Sequence, residues 1–291
     1  MGENDWLIEQ FEEHRAHLHG VAYRMLGSSS EADDALQETW QRVSRADTTV
    51  VENLGGWFTT ITSRVCLNAL RSRRTRREEP LDARIPDPVV ARPDGGDPEK
   101  EAMLADSVGL ALLVVLETLA PAERLAFVLH DLFAVPFDEI APIVDRSPEA
   151  TRQLASRARR RVQGTAPATE ADPARQRATV DAFFAAARHG DFDALLRLLD
   201  PDVVLRADAG PGASTIVRGA QTVASRAIMF AQPSATLVPA LVNGSAGVVV
   251  TVEGRPVTVM AFTVSGGRIV AIDALNDADR VGRLDLPVLD D

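Results

Sequence analysis

The chain has 291 residues, 45% hydrophobic and 25% charged, enough for two or three domains with their own cores. Its formal net charge of −11 excludes a globally basic nucleic-acid binder, so any grip on nucleic acid has to be local. No apolar run approaches the roughly 18 residues of a membrane span, the acidic start MGENDWLIEQ has no signal-peptide core, and the lone Cys66 excludes an intramolecular disulfide and a Cys-based zinc site and fits a reducing, cytoplasmic compartment.

Residues 5–77 read as helices. Leu7, Phe11, His14, Leu18, Val21, Ala22 and Met25 recur at helical spacing. Gly27 ends that helix, and Ser30, with Asp33 three residues on, is the expected N-cap of the next. The second helix sets Asp33, Asp34, Gln37 and Glu38 on one side. A carboxylate cluster can bind a metal, but without a histidine beside it a protein contact or plain solubility fits better. A third helix starts near Leu54 and ends in RVCLNALRSRRTRR (64–77), an arginine run without an acid, downstream of Trp57 and Phe58. Aromatics beside arginines suit melted nucleic acid, whose bases stack; the alternative is core aromatics and a solvated arginine tail.

Residues 78–101, EEPLDARIPDPVVARPDGGDPEKE, read as an extended connector too polar to hold a core. Helices resume over 101–163. Phe137, Ile140, Ala141 and Val144 share one face, Asp145 and Arg146 turn the chain, and Ser147 caps a new helix with Pro148 at its first position. That is a helix-turn-helix plan. On its second helix Thr151, Leu154, Ala155, Ala158 and Val162 form the packing stripe, while Glu149, Arg152, Gln153, Ser156 and Arg159/Arg160 face away. Arg and Gln can pair with base edges in a major groove; the competing reading is a solvated face complementing the helix dipole.

A second connector, GTAPATEADPA (164–174), precedes a block of different character. Val180, Phe183, Phe184 and Ala187 open it as an amphipathic helix, and an HGD turn (189–191) leads to Leu195, Leu198 and Leu199. Strands then follow as a meander, turning at Asn243-Gly244, Gly254-Arg255 and Gly266-Gly267. The fold class is multidomain: two all-α domains, then an α+β domain.

The first 165 residues resemble regions 2 and 4 of extracytoplasmic-function RNA polymerase sigma factors. The resemblance rests on HGVAYRMLGSSSEADDALQETW (19–40), WFTTITSRVCLNALRSRR (57–74) and PFDEIAPIVDRSPEATRQLASRARRR (136–161). It implies a non-enzymatic transcription initiation factor whose partners are core RNA polymerase (β′ and β subunits) and promoter DNA, with no cofactor, metal or membrane. Asp33, Asp34, Gln37 and Glu38 match the segment that docks on the β′ clamp helices. Trp57, Asn68, Arg71, Arg73, Arg74, Arg76 and Arg77 match the −10 reading and melting region. Family members commonly carry an acid where Asn68 stands, which implies a different −10 base preference. Arg146, Glu149, Arg152, Gln153, Ser156, Arg157, Arg160 and Arg161 match the −35 reader, with Arg157, Arg160 and Arg161 as its phosphate clamp.

The last block resembles a SnoaL-like domain of the nuclear-transport-factor-2-like superfamily, which one subgroup of these sigma factors carries. The implied boundaries are region 2 at 1–78, a linker at 79–100, region 4 at 101–164, a linker at 165–173 and the SnoaL-like regulator at 174–291. IPDP (85–88) resembles the subgroup's Leu-Pro-Glu-Pro linker motif. NDADRVGRL (276–284) resembles its Asn-Pro-Asp-Lys-Leu motif, with Asp277 for Pro and Arg280 for Lys. Its Asp-Gly-Gly-Gly-Lys loop falls near RADAGPGA (206–213), where Asp208, Gly210 and Gly212 fit and the lysine is absent. Ile85, Pro86, Asp87, Pro88, Asp208, Asn276, Asp277 and Arg280 are therefore the expected interdomain regulatory set, with the two outer segments meeting. Enzymes of this superfamily use a pocket acid–base pair, often with a tyrosine donor. Here the sole tyrosine is Tyr23 in the first block, and the last block's sole histidine is His189 in a surface turn. Asp208 with Arg206 is the remaining acid–base pair, and a small ligand for the block is unassigned.

Overall fold

The computed structural model describes residues 3–46, 51–76, 84–94, 109–165, 170, 172–231 and 234–289. Arg77 lies outside them, and Arg74 and Arg76 fall on the last turn of a helix. The chain divides into two compact units, 1–79 with 115–165 and 80–114 with 166–291.

The first unit is helical. Helices α1 (Glu3–Leu26), α2 (Ser29–Val43) and α3 (Leu54–Arg76) bury Leu18, Met25, Leu36, Phe58 and Leu67 between them. Phe11 sits with its ring centroid 5.2 Å from Trp40 and 5.3 Å from Phe58, joining all three helices. Gly27 takes a left-handed φ of 73° and ends α1 as expected. The N-cap of α2 is Ser28 rather than Ser30, because the chain turns immediately after Gly27; the two hydroxyls bond each other at 3.0 Å.

The division between the units falls within α4 (Leu110–Glu117). The first unit continues with α5 (Pro121–Phe127), a π-turn over Val128–Leu132, α6 (Phe137–Val144) and α7 (Pro148–Thr165). The α6–α7 corner follows its local signals. Asp145 is left-handed with φ 56°, Ser147 Oγ accepts from the Ala150 N–H at 3.2 Å, and Pro148 starts α7. Thr151, Ala155 and Ala158 are buried, as the packing stripe requires. The two helical blocks form one body, with α3 packed on α5 and α6. Arg124 of α5 is buried, pairs with Glu117 at 3.0 Å and donates Nε to the Arg24 carbonyl at 3.0 Å. Arg24 in turn stands over the Phe133 ring at 4.8 Å.

The second unit packs helices on a seven-stranded sheet. Helices α8 (Pro173–His189) and α9 (Phe192–Leu198) are followed by β2 (Leu199–Asp208), β3 (Thr215–Arg218) and α10 (Ala220–Met229). Strands β4 (Ala235–Val242), β5 (Ser245–Val252), β6 (Arg255–Ser265) and β7 (Arg268–Leu275) form the meander, and α11 (Ala278–Val281) ends it. With an edge strand β1 (Val90–Ala91), the order is β1-β4-β5-β6-β7-β2-β3, with β2 parallel to β7. Val180, Phe183, Leu195, Val223, Phe262 and Ile272 lie in the core between helices and sheet. Asn243-Gly244 and Gly266-Gly267 take positive φ at both turn residues, the geometry tight hairpins need. The middle turn is Glu253-Gly254, one residue earlier than the sequence suggests, with Glu253 at φ 52°. The meander reading omitted β2, β3 and α10.

The first connector departs most from expectation. Residues 84–94 are part of the second unit, and Ile85, Pro86, Pro88, Val90 and Ala91 are buried. Strand β1 (Val90–Ala91) pairs antiparallel with β4 at the sheet edge. The Asn243 turn serves twice: its N–H donates to the Val89 carbonyl at 2.8 Å, and its Oδ1 accepts from the Val89 N–H at 3.2 Å. A segment that reads as solvated spacer thus hides its apolar residues against a sheet formed more than a hundred residues later.

Candidate functional site

On α2, Asp33, Asp34, Gln37 and Glu38 are all exposed. Asp33, Asp34 and Gln37 border a cleft between α1 and α2 lined also by Ile8, Phe11, Leu36 and Trp40. Ile8 is 44% exposed, unusual for a large aliphatic residue on a folded helix. The cluster does have a histidine neighbour, contrary to the sequence reading: His19 Nε2 lies 3.6 Å from Asp33, brought there by the α1–α2 packing. Glu38 pairs with Arg42 one turn on.

On α3 the two aromatics part company. Phe58 is core, while Trp57 is half-buried beside it, ring centroids 5.6 Å apart. Asn68 and Arg71 are exposed on the same helix. Arg73 pairs with Glu31 and donates to the Leu26 carbonyl at 3.0 Å, tying α3 to the α1–α2 corner. Cys66 is buried, and burial pushes its thiol up to about 12 despite Arg124, so it stays a protonated core residue.

On α7, Arg146, Glu149, Arg152, Gln153, Arg157, Arg160 and Arg161 are exposed and Ser156 is half-buried. Arg152 lies against Glu149 at 2.7 Å and over the Phe137 ring at 5.4 Å, so its guanidinium is already oriented. The expected phosphate clamp divides. Arg157 and Arg161 both reach Glu123, at 2.9 and 3.6 Å, and Arg159 reaches Asp131, so these arginines strap α7 to α5 and the π-turn. Arg146 and Arg160 pair with no acid among the described residues.

The third site belongs to the second unit and joins all three segments singled out in the sequence. Asp208, 3% exposed at the end of β2, is its hub. Its Oδ2 accepts from the Ile85 N–H at 2.9 Å and from Arg280 Nη1 at 2.7 Å; its Oδ1 accepts from the Gly210 N–H at 3.1 Å and Ser214 Oγ at 2.8 Å. Its carbonyl takes the Asn276 and Asp277 N–H groups at 2.7 and 3.1 Å. Arg280 spends the rest of its guanidinium on the linker: Nε and Nη2 grip Asp87 Oδ1 at 2.7 and 2.5 Å, and Nη2 also donates to the Ile85 carbonyl. Asp277 caps α11 by accepting from the Asp279 and Arg280 N–H groups, which aims Arg280 at the linker. Gly210, at φ 93°, leaves room for Asp277, whose Oδ2 would lie 2.8 Å from any Cβ there.

The electrostatics match that geometry. Burial works against the Asp208 carboxylate. The donors from Ile85, Ser214 and Gly210 and the Arg280 charge outweigh it and hold its pKa below the usual carboxylate range. Burial likewise opposes the Arg280 charge, but Asp87 and Asp208 raise its pKa. We call this arrangement the linker latch.

The expected Asp208–Arg206 acid–base pair does not form. Arg206 instead pairs with Asp273 at 3.0 Å across β2 and β7. Burial raises the pKa of Asp273, which is 1% exposed, and Arg206 only partly offsets it. Strand alternation puts Arg206, Asp208 and Asp273 on the face opposite Leu205 and Ile272, which line the unit's cavity. His189 is exposed and bonds the Ala185 carbonyl.

Residues 10–76 match the sigma-70 region 2 family and residues 109–162 the sigma-70 region 4 family. The chain is 36% identical over 276 residues to the probable ECF RNA polymerase sigma factor SigI of Mycobacterium tuberculosis, covering 94% of each chain. It is 43% identical over 213 residues to the ECF RNA polymerase sigma factor SigJ of the same organism, covering 72% of this chain and 68% of the relative. The crystal structure of M. tuberculosis SigJ superposes with a TM-score of 0.75 at 36% identity, over 96% of this chain and 99% of that one. That likeness includes the sheet unit as well as the helices.

Proposed function

The chain belongs to the extracytoplasmic-function RNA polymerase sigma factors, and on that premise we propose how its residues direct promoter-specific initiation and how its sheet unit regulates it in cis. Core polymerase is the partner at α2. The apolar cleft of Ile8, Leu36 and Trp40, bordered by Asp33, Asp34 and Gln37 with Glu38 exposed on the same helix, suits a basic helix with apolar anchors, the role given to the β′ clamp helices. Region 4 would meet the β subunit, and the factor works in the cytoplasm with the transcription machinery.

Promoter DNA is read at two elements. Arg152, Gln153, Glu149 and Ser156 form the edge that enters the −35 major groove, with Arg146 and Arg160 on phosphates. Arg157 and Arg161, whose own side chains are half exposed or more, join them by leaving Glu123. Trp57, Asn68 and Arg71 capture melted −10 bases, with Arg74, Arg76 and Arg77 along the strand. Arg73 joins them by leaving Glu31. The net charge of −11 keeps the free factor off bulk DNA and leaves nonspecific attraction to polymerase.

One observation carries the regulatory part: Arg280 and Asp208 hold the linker between regions 2 and 4 through Asp87 and both backbone groups of Ile85. The functional division is thus region 2 (1–78), a latched linker (79–100), region 4 (101–164), a short joint (165–173) and the regulator (174–291). The test is genome-wide run-off transcription with core polymerase, comparing the full chain, a chain ending at residue 164, and Arg280→Ala. Specific initiation that shifts in amount on deletion, with Arg280→Ala shifting the same way, supports the reading. Identical output from all three refutes cis regulation. Tight operator binding without polymerase, and no initiation with it, would refute the sigma mechanism.

A further inference from the structure

The sheet unit holds a cavity of about 400 Å³ between α8, α10 and the sheet, separate from the linker latch. Its size falls within the range of small-molecule sites. Phe184, Leu205, Leu237, Val250 and Met260 line it and are only partly buried, although they pack against the core. Phe230 of the segment after α10 stands at the lining 66% exposed, and Val257 38% exposed. Apolar side chains left with solvent access forgo burial worth roughly 25 cal/mol per Å². A guest with an apolar body would recover it.

The charged lining is one-sided. Among the described residues Arg188 and Arg226 are its only charged lining, with no carboxylate beside them. Arg226 is held by a bond from Nη1 to Thr215 Oγ1 at 3.3 Å, which orients its fork toward one place. A guanidinium fork matches a carboxylate or sulfonate and repels an ammonium group. Asn276 and Thr258 add neutral polar groups. The buried carboxylates of β2 and β7, Asp208 and Asp273, are engaged on the opposite face of the same strands.

We propose that this cavity binds an amphipathic organic monoanion, its apolar body against Leu237, Val250 and Met260 and its acid group at Arg188 and Arg226. The inference does not depend on the regulatory reading, because its test measures binding alone. The probe is 1-anilinonaphthalene-8-sulfonate on the folded full-length chain, competed with decanoate, decanol and decylamine. Saturable fluorescence is expected, displaced by decanoate at concentrations about tenfold below decylamine, a ratio that two partly exposed charges can support. Arg188→Ala with Arg226→Ala should bring the two competitors to within about threefold while decanol is unchanged. Ala227→Trp and Val250→Trp fill the cavity from opposite walls, and whichever folds should abolish the signal. Equal competition by decylamine, unchanged probe binding in a folded filled variant, or no saturable fluorescence would overturn the proposal.

Discussion

Arg280→Ala removes one member of a nearly buried charge cluster and leaves the others in place. Arg280 is 17% exposed at its side chain, Asp208 4% and Asp87 19%. Breaking a buried pair from one side costs about 3–5 kcal/mol, mostly because the surviving charge is stranded. Asp208 keeps three donors, from Ile85, Gly210 and Ser214, so the loss belongs at the lower end, about 3 kcal/mol. The loss should be local, since Arg280 fastens residues 85–87 to the end of β2 rather than the sheet to its helices. Hydrogen exchange of the full-length protein reads it directly. The Ile85 and Val89 amides should exchange on the order of 100-fold faster, while amides of β5 and β6 hold their rates. Arg280→Lys should recover part of the protection, because an ammonium can meet Asp208 or Asp87 but cannot fork across both and Ile85. Unchanged Ile85 protection in Arg280→Ala would refute the claim that this cluster holds the linker.

Three further outcomes follow from the same structure. Arg124→Ala strands Glu117, which is 7% exposed, and should cost the helical unit about 3–5 kcal/mol in urea unfolding, with most of it restored when Glu117→Leu accompanies Arg124→Met. Gly247→Ala places a Cβ 2.5 Å from the Met260 carbonyl and 2.5 Å from Val242 Cγ2, and should lower sheet-unit stability by about 1–3 kcal/mol by thermal unfolding. Asp273 has a raised folded-state pKa, so its contribution to stability is present below its unfolded pKa and lost as pH rises through the folded value. Asp273→Asn should therefore gain on the wild type as pH rises above the ordinary carboxylate range, read by thermal unfolding across pH. Asp208 works the other way, its contribution lost only as pH falls below the ordinary carboxylate range.

Features that depend on neighbouring residues were legible in the sequence. Asp145, Ser147 and Pro148 define the α6–α7 corner within four residues, and Asn243-Gly244 defines its hairpin alone. Features settled by distant partners were not. Strand β2 alternates apolar residues with Arg206 and Asp208, whose partners lie 67 and 72 residues away, so its polar positions disguised a strand. Strand β1 is two residues long in a proline-rich run and exists because β4 offers an open edge. The latch was foreseen as a meeting of segments only through the family resemblance. Its chemistry, one arginine shared by two aspartates and the Ile85 carbonyl, was not. The strapping of Arg157 and Arg161 to Glu123 escaped because the acid sits on another helix, 34 residues before Arg157.

The packing of the helical unit bears on how the latch could control initiation. About 130 residues in a compact body have a radius of gyration near 14 Å, hence a diameter of roughly 36 Å. Elements named −10 and −35 lie roughly 25 base pairs apart, or about 85 Å at 3.4 Å per pair. One compact body holding both α3 and α7 cannot read both elements at once, so on the proposed reading α3 must part from α5 and α6, undoing the Arg124 bond to Arg24. The chain joining the separated halves is 80–114, and it belongs to the sheet unit. Fully extended, about 35 residues reach roughly 120 Å, ample for the span, and residues 85–91 of that stretch are held on the sheet by the latch and the β1 pairing. On the proposed cis regulation, holding Ile85, Asp87 and the β1 pairing would restrain the chain between regions 2 and 4, and releasing them would add slack as the two regions separate onto two promoter elements.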